Sequence, residues 1–130
     1  LQCIALESNP AFASVARETF KQARNPIDLR EGDYTDLLPK ALEDMEAVDF
    51  VYFNMQDDDI CCSSLFNKCV EQTNQNSVFV FKGIKSSSKM RIAWKEICSH
   101  PKVTVTMDLY ALGIVFFNDK LHKRNYITYY

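Results

Sequence analysis

The chain has 130 residues, is 47% hydrophobic and 25% charged, and carries a formal net charge of -2. These proportions are ordinary for a soluble globular protein with one core. Without a basic excess there is no case for nucleic acid, and no apolar run approaches the ~18 residues that a membrane span needs. The five cysteines are Cys3, Cys61, Cys62, Cys69 and Cys98. Their odd number and irregular spacing argue against a disulfide framework or a zinc site, and suit small core residues in a reducing cytoplasm.

Residues 2 to 6 read as a strand. Asn9-Pro10 then gives a helix cap followed by proline at the first helical position. Phe12, Val15, Ala16, Phe20 and Ala23 recur at helical spacing, so this helix is expected to bury that face and to end at Asn25-Pro26. Residues 27 to 30 form a short second strand, and Gly32-Asp33 turns the chain. Thr35 or Asp36 is the expected cap of a helix carrying Leu37, Leu38, Ala41, Leu42 and Met45. Residues 47 to 53 are apolar apart from Asp49 and read as a buried strand. Asp57 to Asp59 suit a helix start, where the dipole is positive, and Leu65, Phe66, Cys69 and Val70 follow at helical spacing. Residues 77 to 81 are the next strand. Ser86 to Ser88 cap a helix bearing Met90, Ala93, Trp94 and Ile97, and His100-Pro101 stops it.

The pattern then changes. Residues 103 to 109 and 113 to 117 are strands separated only by Tyr110-Ala111-Leu112, a hairpin length that makes them antiparallel neighbours. Residues 126 to 130 are a last short strand, rich in aromatic and β-branched residues. Lys120, Lys123 and Arg124 read as a solvated turn. Strand–helix units predict a parallel sheet with right-handed crossovers, and the terminal hairpin sets the chain apart from a plain dinucleotide-binding fold.

In this order and spacing the chain resembles the class I S-adenosylmethionine (SAM)-dependent methyltransferases, in the branch of the bacterial small-molecule O-methyltransferases. The resemblance covers nearly all of the chain as one domain, residues 1–130. It implies an α/β, Rossmann-like sheet, mostly parallel, with a C-terminal antiparallel β-hairpin. In the family the strands lie in the order third, second, first, fourth, fifth, seventh, sixth. The family's first strand and its glycine-rich SAM loop would fall before Leu1, so the chain is expected to be truncated within the domain. Open central strand edges of that kind predict self-association as a homodimer.

The resemblance also assigns a site. Ile4-Ala5-Leu6-Glu7-Ser8-Asn9-Pro10 is similar to the family's second strand, whose terminal acid takes the ribose hydroxyls of SAM; this implies cofactor binding by Glu7, with Ser8 beside it. Arg30-Glu31-Gly32-Asp33-Tyr34 is similar to the segment that holds the adenine, with Asp33 at the amino group and Tyr34 against the ring. By the residues alone, Glu7 is equally a surface acid at a strand end, and Asp33 a turn residue capping the next helix. Val48-Asp49-Phe50-Val51-Tyr52-Phe53-Asn54 is similar to the fourth strand and places Asn54 in the cleft. Metal-dependent relatives carry acids at that strand end and at the end of the fifth; here those places hold Asn54 and Lys82-Gly83. One neutral carbonyl and a repelling cation do not suit a hard divalent ion, so no metal is expected. No general base stands out: His100 and His122 lie on the side opposite the expected cleft. The resemblance implies methyl transfer from SAM to a small acceptor in the parent protein. The alternative is a catalytically silent interaction or structural domain.

Overall fold

A computed structural model describes residues 2–54 and 62–128, which fall into two compact units, Leu1–Glu46 and Ala47–Tyr130. The first contains β1 (Ile4–Glu7), α1 (Pro10–Phe20), β2 (Asp28–Glu31) and α2 (Tyr34–Asp44). β1 and β2 are parallel and in register from Ile4 opposite Asp28 to Glu7 opposite Glu31, so both strands end level. Asn9 starts α1 by accepting from the N–H groups of Ala11 at 2.9 Å and Phe12 at 3.3 Å, ahead of Pro10. That satisfies donors the first helical turn leaves without intrahelical partners.

The buried side of α1 differs from the expected one. Ala13 is wholly buried and Ala16 and Phe20 are partly so, whereas Phe12 and Val15 are 58% and 66% exposed. Residues 13, 16 and 20 form the inward stripe; its centre is rotated by about 60° from that of the expected face, with which it shares residues 16 and 20. Spacing identified an apolar arc, but the strands that α1 meets decide which part of it turns inward. The helix also ends earlier, at Phe20, with Lys21 as its cap. In α2 the cap is Asp33, not Thr35 or Asp36, both of which lie inside the helix. Arg30 ties β2 to the end of α2, with one guanidinium nitrogen 2.8 Å from both Asp28 and Asp44.

The second unit contains β3 (Val48–Phe53), α3 (Cys62–Val70), β4 (Thr73–Lys82), α4 (Ser88–Cys98), β5 (Val105–Asp108), β6 (Leu112–Phe116) and β7 (Arg124–Ile127). Its five-stranded sheet has the order β3-β4-β6-β5-β7. β3 is parallel to β4, and β7 to β5, while β6 runs antiparallel to both its neighbours. The expected hairpin is therefore present as β5 and β6, with β6 inserted next to β4. Ser87 caps α4 by accepting from the Met90 N–H at 3.1 Å. The expected acidic helix start at Asp57 to Asp59 lies outside the described residues.

The two faces of this sheet have different fates. Phe79, Phe81, Val115 and Thr106 alternate onto one face and are at most 1% exposed. α3 and α4 supply Leu65, Phe66, Ala93, Trp94 and Ile97 to the same core. Phe53 stacks on Phe81 at 4.4 Å between ring centroids, and Phe66 meets Phe79 edge-on at 5.9 Å, both favourable ring geometries. Gly113 lets the strand lie under Trp94: a Cβ there would stand 2.5 Å from the indole.

The opposite face is not buried. Phe50 and Tyr52 of β3 are 61% and 49% exposed, which corrects the expectation of a wholly buried strand. Their ladder partners Val78 and Val80, and beyond those Phe116 and Ile114, are partly exposed, as are Val105 and Met107. The apolar run at residues 47 to 53 has the composition of a strand covered on both sides; here β3 is covered on one.

Candidate functional site

Glu7 ends β1, and the backbone carries the chain end of β2 back to it: the Gly32 N–H donates to the Glu7 carbonyl at 3.0 Å. Gly32 has φ +150°, a conformation that side chains on L-residues disfavour, so glycine suits the turn. Asp33 then caps α2, its Oδ1 accepting from the Thr35 N–H at 2.8 Å and the Thr35 hydroxyl at 2.7 Å. These bonds, the hydroxyl first, hold its carboxyl below the ordinary carboxylate range and keep it ionised.

Tyr34 opens α2 and returns to β1, its hydroxyl donating to Glu7 Oε2 at 3.1 Å. Burial, foremost, together with the Glu7 charge, raises the phenol above its usual range; hydrogen bonding to Ser8 opposes this. The phenol therefore stays protonated and serves as a donor that fixes the Glu7 side chain. Thus Glu7, Ser8, Asp33 and Tyr34 gather at the carboxyl ends of β1 and β2. A carboxylate has about four acceptor positions, so one phenol does not exhaust Glu7. What remains can receive two neighbouring hydroxyls, the pattern of a ribose.

Asn54 belongs to the second unit, where it follows β3 and is exposed. The neighbouring strand end is built by a cluster that residue spacing did not reveal. Gly83, at φ +73°, donates its N–H to the Ala111 carbonyl at 2.8 Å and so joins the end of β4 to the β5–β6 turn. Lys85 reaches Asp108 Oδ2 at 3.0 Å, while Asp108 Oδ1 accepts from the Tyr110 N–H at 2.9 Å. Tyr110 sits at φ 71°, and the Ala111 N–H bonds back to the Leu109 carbonyl at 2.9 Å, closing a three-residue turn around it. Such a turn is strained for a residue with a Cβ. The Lys85 ammonium lies 5.7 Å from the centre of the Tyr110 ring. Among the described residues no three His, Cys, Asp or Glu side chains are grouped as metal ligands. No helix among them is long and apolar enough to cross a membrane.

Mixed parallel and antiparallel pairing, with the hairpin strand beside β4, is a fold that this chain shares with solved methyltransferase structures. The O-methyltransferase from Bacillus cereus in complex with SAH matches with TM-score 0.67 and 16% identity, over 88% of this chain and 62% of its own. The SAH-bound methyltransferase PaMTH1 of Podospora anserina matches with TM-score 0.71 and 13% identity, over 91% and 61%. TomG of Streptomyces achromogenes, an O-methyltransferase of tomaymycin synthesis in complex with SAM, matches with TM-score 0.69 and 13% identity, over 90% and 62%. The chain thus spans about three-fifths of the length of these structures. No family model and no curated protein sequence matches it.

Proposed function

We propose that the chain is a SAM-binding, methyltransferase-type domain, 1–130, whose parent transfers a methyl group to a small acceptor. The observation that carries this reading is the Glu7–Tyr34 hydrogen bond at the ends of two level parallel strands. Nucleotide ligands of open α/β sheets lie outside the carboxyl ends of the strands, where one acid takes the ribose hydroxyls. Glu7 takes that role here, with Tyr34 setting its rotamer and Ser8 hydrogen-bonded to Tyr34. Asp33, ionised and tied to Thr35 through one oxygen, accepts from the adenine amino group. Asn54, which follows β3, is the further cofactor-binding residue of this reading. When bound, SAM supplies an activated methyl group; the residues contribute orientation and exclusion of water rather than a named base. The reading extends to a cytoplasmic protein and to a homodimer formed through open sheet edges.

A second reading is a catalytically silent interaction domain, favoured by one specific feature: β4 ends in Lys82-Gly83, where an anionic group would serve metal-assisted transfer. Calorimetry with SAM and S-adenosylhomocysteine separates the two. Micromolar binding that Glu7→Ala weakens by about 10- to 150-fold, the worth of a hydrogen-bonded charge at roughly 1.5–3 kcal/mol, supports the first. Tyr34→Phe is expected to weaken it less, by about 2- to 13-fold, because it loosens Glu7 without removing it. Absence of binding by the wild-type chain refutes cofactor recognition and leaves the silent reading.

A further inference from the structure

β7 ends the second unit's sheet, and polar bonds hold it there. No side chain of Arg124, Asn125, Tyr126 or Ile127 is buried, so the strand adds nothing to the core. At its start the Arg124 N–H donates to the Thr104 carbonyl at 2.9 Å; past its end the Thr128 N–H donates to the Asp108 carbonyl at 2.8 Å. Between them the Thr106 hydroxyl donates to Asn125 Oδ1 at 2.6 Å. A strand attached with so little apolar burial opens more readily than the sheet's interior.

The approach to β7 is pinned by Lys123. Its ammonium donates to the carbonyls of His100 at 2.9 Å and Val103 at 3.1 Å, in the turn that joins α4 to β5. The same turn is closed by the Val103 N–H, which donates to the His100 carbonyl at 3.0 Å, and by the Lys102 N–H, which donates to His100 Nδ1 at 3.1 Å. The His100 ring stands edge-on to Phe66, with centroids 5.4 Å apart. Nδ1 accepts only while the ring is neutral. The charged groups that face the ring are Lys102 in the turn, Lys123 before β7 and Glu71 after α3. Burial foremost, then Lys102 and Lys123, lower the His100 pKa from 6.5, and Glu71 opposes them. Such coupling is reciprocal: if Lys123 disfavours a charged His100, a charged His100 disfavours Lys123 at the turn.

We infer that His100 and Lys123 form an acid-sensitive latch on β7. Protonation of His100 takes away the acceptor of the Lys102 N–H and sets a third positive charge beside Lys102 and Lys123. The Lys123 clamp weakens, and β7 loosens on β5. Acid thus shifts the edge of the sheet from β7 toward β5. The latch lies within the second unit and is independent of cofactor binding, because Glu7, Asp33 and Tyr34 belong to the other unit.

The test is amide hydrogen exchange followed by NMR on the full chain, at about pH 7.5 and about pH 5, the latter still above the ordinary carboxylate range. Rates are corrected for the intrinsic effect of pH on exchange. At both values the Arg124 and Thr128 amides are expected to be less protected than those of Phe79 and Phe81 in the core, which marks a local opening. In acid the opening of β7 is expected to rise by about 2- to 13-fold, the worth of one hydrogen bond. His100→Asn keeps an acceptor for the Lys102 N–H but cannot take up the proton, and should abolish the rise. Lys123→Met should leave β7 fast at both values, without a further rise in acid. Protection of β7 that is equal to that of the core, or equal at the two pH values, overturns the inference. So does an acid response that persists in His100→Asn.

Discussion

Gly113→Ala examines the closest approach in the core. A Cβ built at Gly113 falls 2.5, 2.6 and 2.9 Å from three carbons of the Trp94 indole. Ordinary carbon contacts begin near 3.5 Å, so the ring must withdraw by about 1 Å. It has little room: Trp94 is 8% exposed, and its centroid is 6.0 Å from that of Phe81 in an edge-on contact. Overpacking of this kind costs about 1–3 kcal/mol, and alanine returns about 0.5–1 kcal/mol because glycine is unfavourable inside a strand. The contacts are short enough to take the upper part of that range, for a net loss of about 2 kcal/mol, or roughly 5–10 °C in Tm. Trp94 is the sole tryptophan, so its fluorescence reports on the site during thermal or urea unfolding. Trp94→Phe creates a gap of its own, yet it should accept the new methyl group. In a double-mutant cycle followed by circular dichroism, the pair should recover about 1 kcal/mol or more over additivity. A Gly113→Ala variant as stable as wild type, or strictly additive losses in the cycle, would falsify the packing argument.

Two further outcomes are expected. Tyr110→Gly should raise stability by about 0.5–1 kcal/mol, since relief of positive-φ strain outweighs the exposed contact with Lys85; a fall in Tm counts against strain in the turn. His100 has its pKa lowered from 6.5, chiefly by burial and then by Lys102 and Lys123, and its Nδ1 accepts from the Lys102 N–H at 3.1 Å, as only the neutral ring can. The unfolded chain therefore binds the proton more readily, so the contribution of neutral His100 is full above about pH 6.5 and is lost as pH falls through the lower folded value. His100→Gln should flatten that part of the stability profile, and an NMR titration with a midpoint at or above 6.5 would contradict the assignment.

Local chemistry made some features legible and left others hidden. Asn9-Pro10 and Ser87 announced their helices because capping acts within three residues. The brief Tyr110-Ala111-Leu112 connection announced the hairpin for the same reason. Phe12 and Val15 were misplaced because helical period defines an arc, whereas the strands beneath α1 fix its rotation. Asp33 took the cap that Thr35 or Asp36 was expected to hold, since the backbone is already helical from Tyr34. At the site, Glu7 and Asp33 were visible as acids after strands. The bond from Tyr34 to Glu7 was not, because it joins residues 27 apart. Nor was the Lys85–Asp108–Tyr110 cluster, which exists only once β4 and the hairpin are neighbours.

β4 interleaves two selective pressures. Ser77, Phe79 and Phe81 answer to the sheet's packed core, and Val78, Val80 and Lys82 stand on its more exposed face. A deep mutational scan of this stretch should therefore show a two-residue beat: melting temperature responds strongly at odd positions and weakly at even ones. Adjacent codons can then drift under separate constraints. A lineage could retune the outer face while leaving the domain's folding almost untouched, within a single strand.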